Sequence, residues 1–94
     1  MPEITESEFM KLIESLPEGD QRAIKSTIVE LRALDFVKDI TFNERHTVTI
    51  EIVTDEFIIE NREKSNKVYF AEYKLLGQIE GSLGVSVRIV TEDE

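Results

Sequence analysis

Apolar positions along this chain recur at helical spacing, then at strand spacing, then at each once more. Phe9, Leu12, Ile13 and Leu16 fall on one helical face. Thr5 is a suitable N-cap, Glu8 three residues on completes a capping box, and Ile4 with Phe9 can staple the entry. Pro17 is expected to end this helix, because it has no amide to donate and drives Leu16 out of the helical region. A second helix follows at once from Pro17-Glu18-Gly19-Asp20, with acids where the helix dipole favours them. Ile24, Ile28 and Leu31 form its stripe, widened by Ala23, Thr27 and Leu34. Residues 1–34 therefore read as an αα-hairpin.

The period then shortens to that of a strand. Phe36, Ile40 and Phe42 share a face, with Lys38 interrupting and Thr41 opposite. After the turn-like Asn43-Glu44-Arg45, Val48, Ile50 and Ile52 alternate with Thr47, Thr49 and Glu51, the cleanest strand pattern in the chain. Beyond Thr54-Asp55, Phe57 and Ile59 alternate with Glu56, Ile58 and Glu60, which predicts a third strand and an antiparallel meander over 35–61. Val68, Ala71, Leu75 and Ile79 return to helical spacing and predict a helix over 64–83. Ser65 or Asn66 would cap it, and Gly84 would close it as a left-handed residue. Val85, Val87 and Ile89 alternate with Ser86, Arg88 and Val90 in a last strand over 84–91.

The order α-α-β-β-β-α-β predicts a single α+β domain over 1–94. It is a two-layer sandwich, with a mainly antiparallel four-stranded sheet and helices on one face. The last strand, reached through a helix, should run parallel to its neighbour. It fits beside the first strand, in the order 4-1-2-3, or beside the third. By alternation the outer sheet face should carry Lys38, Thr47, Thr49, Glu51, Val53, Ile58, Glu60, Ser86, Arg88 and Val90. Val53, Ile58 and Val90 are apolar where water is expected, and brought together they would form a docking patch.

Ninety-four residues, 40% of them hydrophobic, hold one core and no second. Twenty acids against eleven bases give a net charge of −9, which argues against nucleic acid as a partner. The absence of cysteine excludes disulfides, thiolate metal sites and a thiol nucleophile. No apolar run reaches the roughly 18–20 residues of a membrane span, and Met1 to Phe9 lack the basic and apolar pattern of a leader, so a cytoplasmic location without membrane contact is expected.

Candidate chemistry is sparse. His46, the one histidine, stands near Glu44 without the partners that a triad or a zinc site requires. Asp55-Glu56 and Glu92-Asp93-Glu94 lack the spacing of a calcium loop. Gly81-Ser82-Leu83-Gly84 is similar in its letters to the GxxG loop of K-homology RNA-binding modules. In that family the loop joins two helices and carries bases, whereas here a strand follows at once. Tyr69, Phe70 and Tyr73 could stack on bases, but the acidic charge favours Phe70 or Tyr69 packing against the sheet or the αα-hairpin while a tyrosine hydroxyl reaches water. No catalytic residue, metal or cofactor is expected.

The pattern points to a small non-enzymatic interaction or regulatory domain. It would bind a protein partner, basic by charge, or a second copy of itself, through the open sheet face or an edge. The surface expected to carry this is Lys38, Thr49, Glu51, Val53, Ile58, Glu60, Arg88 and Val90. Alternatives are nucleic-acid binding through Lys38, Lys67, Lys74 and Arg88, or mimicry of nucleic acid by the acidic surface. An enzymatic site shared between subunits would have only His46, Glu44 and Glu51 to draw on.

Overall fold

Capping chemistry sets the first turn of the chain. In the computed structural model, which describes residues 3–44, 48–54, 57–79 and 84–92, a two-residue strand, β1 (Glu3–Ile4), leads into α1 (Glu6–Ile13). The Thr5 hydroxyl accepts from the Glu8 amide at 3.1 Å, and the Glu8 carboxylate accepts from the Thr5 amide at 2.9 Å. This reciprocal box satisfies donors that the first helical turn leaves bare. α1 stops at Ile13, before Pro17 is reached; a turn closed by Leu16 N–H on the Ile13 carbonyl (3.0 Å) follows. Pro17 instead stands at the N-cap of α2 (Glu18–Arg32). Ile24, Ile28 and Leu31 of α2 are buried, as their spacing predicts.

The remaining elements are β2 (Val37–Glu44), β3 (Val48–Thr54), α3 (Arg62–Gln78) and β4 (Val85–Thr91). The fold is α+β, with a four-stranded, mostly antiparallel sheet in the order β1-β2-β3-β4. β1, β2 and β3 pair antiparallel; β4, returning through α3, pairs parallel to β3. Alternate residues of β2, β3 and β4 turn inward and join Phe9, Ile24, Leu31, Val68 and Leu75 of the three helices in one core. Phe9 stacks on Phe42, ring centroids 4.4 Å apart and planes at 27°, which fastens α1 to β2.

Sheet membership differs from the sequence expectation in one exchange. Residues 57–60 are not a strand. Ile58 is 0% exposed and belongs to the core, while Phe57 and Ile59 are exposed, the reverse of the alternation. A period-two run makes a strand only where a partner is open to it. Here β4 occupies the side of β3 that the run would have used. The segment turns instead, with Asn61 N–H bonding the Ile58 carbonyl at 2.9 Å. Asn61, not Ser65 or Asn66, caps α3 by accepting from the Lys64 amide at 3.2 Å. Ser65 lies buried within α3.

The fourth strand is β1, whose Glu3 and Ile4 pair with Asn43 and Phe42. Two residues are too few to show a period. The last strand therefore neighbours the cleanest strand, neither of the two positions the pattern suggested. α3 ends at Gln78 with Ile79 extended (φ −79°, ψ 131°), so Gly84 does not terminate it. The GxxG letters at 81–83 lie outside the described residues.

Two outcomes test this packing. Ile58→Ala should lower stability by about 2–4 kcal/mol in urea unfolding, as for a core truncation, while Phe57→Ala and Ile59→Ala change it by less than about 1. Equal effects at all three would refute the anchor role of Ile58.

The second outcome concerns acid. The Arg32 guanidinium bonds the Glu6 carboxylate and holds it below its ordinary range; the Thr5 amide, then its hydroxyl, does the same for Glu8. A carboxylate lowered on folding adds stability above its unfolded pKa and loses it as pH falls through the folded value. Stability should therefore decline on acidification below about pH 4.3, the ordinary glutamate value. The double variant Glu6→Gln, Glu8→Gln should narrow its gap to the wild type there, measured by denaturant unfolding at stepped pH. A gap that stays constant with pH would refute the coupling.

Candidate interaction surface

The strand registers place the outer face of the sheet in three rows. Asp39, Val53 and Val90 form one, Thr41, Glu51 and Arg88 the next, and Asn43, Thr49 and Ser86 the third. Of the residues expected there, Thr49, Glu51, Val53, Arg88 and Val90 are thus brought together. Most polar groups on this face serve one another. The Glu51 carboxylate accepts from the Asn43 side-chain amide and, at 3.5 Å, from the Thr41 hydroxyl. Arg88 Nη1 lies 3.8 Å from Glu51 Oε2, and the Thr49 and Ser86 hydroxyls are 3.3 Å apart. The apolar part of the face is only Val53 beside Val90, both half-buried.

The other expected members lie elsewhere. Ile58 is a core residue and leaves the surface, for the reason given above. Glu60 is exposed in the turn before α3, off the sheet. Lys38 stands where the register shifts between Val37 and Asp39, and its ammonium pairs with Glu92 at 2.8 Å. Thr47 and His46 lie outside the described residues.

The β4 edge is guarded. The β3–β4 ladder is bracketed by Val48 N–H on Gly84 O and Glu92 N–H on Thr54 O, both 2.9 Å. In a parallel ladder of that phase the odd-numbered amides of β4 face away from β3. One of them, Val87 N–H, donates to Glu72 Oε2 of α3 at 2.7 Å. A charged side chain laid on an edge in this way discourages strand addition.

The exposed apolar surface lies in the other layer. Every large hydrophobic residue exposed among the described residues belongs to α2, α3 or the segment leading into α3. On α3, Tyr69 is 43% exposed, Phe70 61%, Tyr73 76% and Leu76 54%. The expected packing of Phe70 or Tyr69 on the sheet or hairpin does not bring either ring into the core cluster. Val68, Ala71 and Leu75 already fill the inward face of α3, and one helix cannot turn both stripes to the core. Tyr69, Tyr73 and Leu76 fall three and four residues apart, on a ridge opposite that stripe. This second stripe was present in the sequence as the same spacing shifted round the helix. Phe70 is held by Lys74, whose ammonium lies 5.2 Å from the ring centroid and also pairs with Glu30 of α2 at 3.0 Å. Glu63, Asn66, Lys67, Tyr69 and Phe70 line a shallow groove of about 500 Å³ on this face.

The four bases of the nucleic-acid alternative do not gather. Lys38 is on β2, Lys67 and Lys74 are on α3, and Arg88 is on the outer face of β4. Lys38, Lys74 and Arg88 each have a carboxylate beside them. Among the described residues no group of three His, Cys, Asp or Glu side chains could hold a metal ion, and no helix is long and apolar enough to cross a membrane. No protein-family model, curated protein or solved structure matches this chain.

Proposed function

We propose that this protein is a small non-enzymatic interaction domain that docks a protein partner through the outer face of α3. The observation that carries this reading is the ridge of Tyr69, Phe70, Tyr73 and Leu76 standing in water beside a core that is already complete. Contiguous apolar surface of this kind marks binding sites, and tyrosine and phenylalanine are enriched in them. Four bases and two acids give α3 a charge of +2 in a chain of −9, so a ridge on this helix suits a neutral or acidic partner surface in place of the basic one that the whole-chain charge suggested. The cysteine-free, acidic composition suits a cytoplasmic regulator. A second reading places docking on the open sheet face, and the adjacency of Val53 and Val90 favours it.

Affinity capture with tagged wild type and with the double variant Phe70→Ser, Tyr73→Ser, with and without nuclease, separates these readings. A protein retained by the wild type in both conditions and lost by the variant is the expected result. A protein retained equally by both would move the site to the sheet face. Recovery that depends on nucleic acid would overturn the protein-docking reading.

A further inference from the structure

The charge of this chain is unevenly placed. α2 and α3 together hold five acids and seven bases, so fifteen of the twenty acids and only four of the eleven bases lie elsewhere. Screening confines a surface charge to about 8 Å at physiological ionic strength, and the molecule measures 21 Å across its thinnest direction. The outer face of α3 is therefore governed by its own groups more than by the −9 of the whole chain.

Those groups are ordered along the helix. Toward its N-terminal end stand Arg62 and Lys67, both exposed and neither in an ion pair among the described residues. Arg32, Lys38, Lys74 and Arg88, by contrast, each have a carboxylate beside them. Farther along, the face turns apolar: the line that begins at Arg62 and Asn66 continues, in steps of three and four, to Tyr69, Tyr73 and Leu76. Where the two halves meet, the rings of Tyr69 and Phe70 wall the groove, and Glu63, Asn66 and Lys67 complete its lining.

We infer that this face takes an acidic, amphipathic segment of another protein, its carboxylates over Arg62 and Lys67 and a bulky apolar side chain in the groove at Tyr69 and Phe70. The inference rests on reading α3 as the docking surface and names the chemistry of its partner. Charge complementarity also fixes which way round the segment lies, with its acidic end at the start of α3 and its apolar end on Tyr73 and Leu76. The positive end of the helix dipole stands on the same side and adds to that preference.

Single-stranded nucleic acid also offers negative charge and flat rings, but it is held by a groove whose positive charge tracks the backbone. Here Glu63 lines the groove, Lys74 is held by Glu30, and the Lys64 ammonium lies over the Phe36 ring. Arg62 and Lys67 are left as separate points of charge, which suit carboxylates set singly along a peptide.

Amide-resolved NMR titration of the full chain tests the proposal. The probes are a random copolymer of glutamate and tyrosine, the matched copolymer of lysine and tyrosine, and oligothymidylate. The glutamate copolymer is expected to shift amides of α3, and to do so less as salt rises from about 0.1 to about 0.5 M. The lysine copolymer, drawn to the acidic remainder of the surface, is expected to shift amides elsewhere. Arg62→Glu, Lys67→Glu should weaken the glutamate copolymer at least about tenfold, because like charges then face each other across the contact. Both positions are exposed, so the spectrum of this variant should stay that of a folded chain. Phe70→Ser, Tyr73→Ser should weaken it as well.

No shift of α3 amides by the glutamate copolymer, or an equal shift by the lysine copolymer, would overturn the acidic partner. A response undiminished in Phe70→Ser, Tyr73→Ser would reduce it to charge attraction without an anchor and overturn it equally. A stronger response to oligothymidylate would replace the peptide with nucleic acid, and α3 shifts on diluting the protein alone would replace it with a second copy. The docking surface can outlive this failure. A partner captured by the wild type, lost by Phe70→Ser, Tyr73→Ser and kept by Arg62→Glu, Lys67→Glu would leave the surface standing and remove only its preference for acids.

Discussion

The register of β3 is the constraint on which the rest of the molecule depends. β3 is paired on both sides, antiparallel to β2 and parallel to β4. Its even-numbered residues, Val48, Ile50, Ile52 and Thr54, are all buried, and its odd-numbered residues are all partly open. A slip by one residue against either neighbour would turn that set to water. Because the two pairings share one strand, they also align the outer rows, and so set Glu51 between Thr41 and Arg88 and Val53 beside Val90. The parallel pairing with β4 requires a crossover, which α3 supplies, and so places α3 in the helical layer.

Once α3 is so placed, its two apolar faces have different fates. Val68, Ala71 and Leu75 complete the core with α2 and the sheet. Glu72 reaches past them to the Val87 amide on the β4 edge. The same contact that docks α3 also blunts the edge that could have recruited another strand. Four of the seven large hydrophobic residues exposed among the described residues lie on the ridge from Tyr69 to Leu76. Lys74, shared between Glu30 and the ring of Phe70, links the Phe70 end of that ridge to α2.

Local signals in the chain are read correctly where a few adjacent residues decide the outcome. Thr5 and Glu8 specify the start of α1 because a capping box is closed by its own four residues. The stripes of α2 and α3 and the alternation of β3 and β4 predict the buried faces, since the hydrophobic effect acts on whichever face is apolar. The sequence alone therefore determined the fold class, the two-layer build and the core residues of these elements.

Tertiary structure decided what depends on competition for a partner. Residues 57–60 alternate like a strand, but β4 holds the side of β3 they would need, so Ile58 becomes an anchor and the segment turns into α3. Glu3 and Ile4 carry no periodic signal, yet they become a strand because β2 presents an open edge to them. The two apolar stripes of α3 look alike along the chain. Which of them meets the core, and which is left in water, follows only from how α3 must lie to return the chain beside β3.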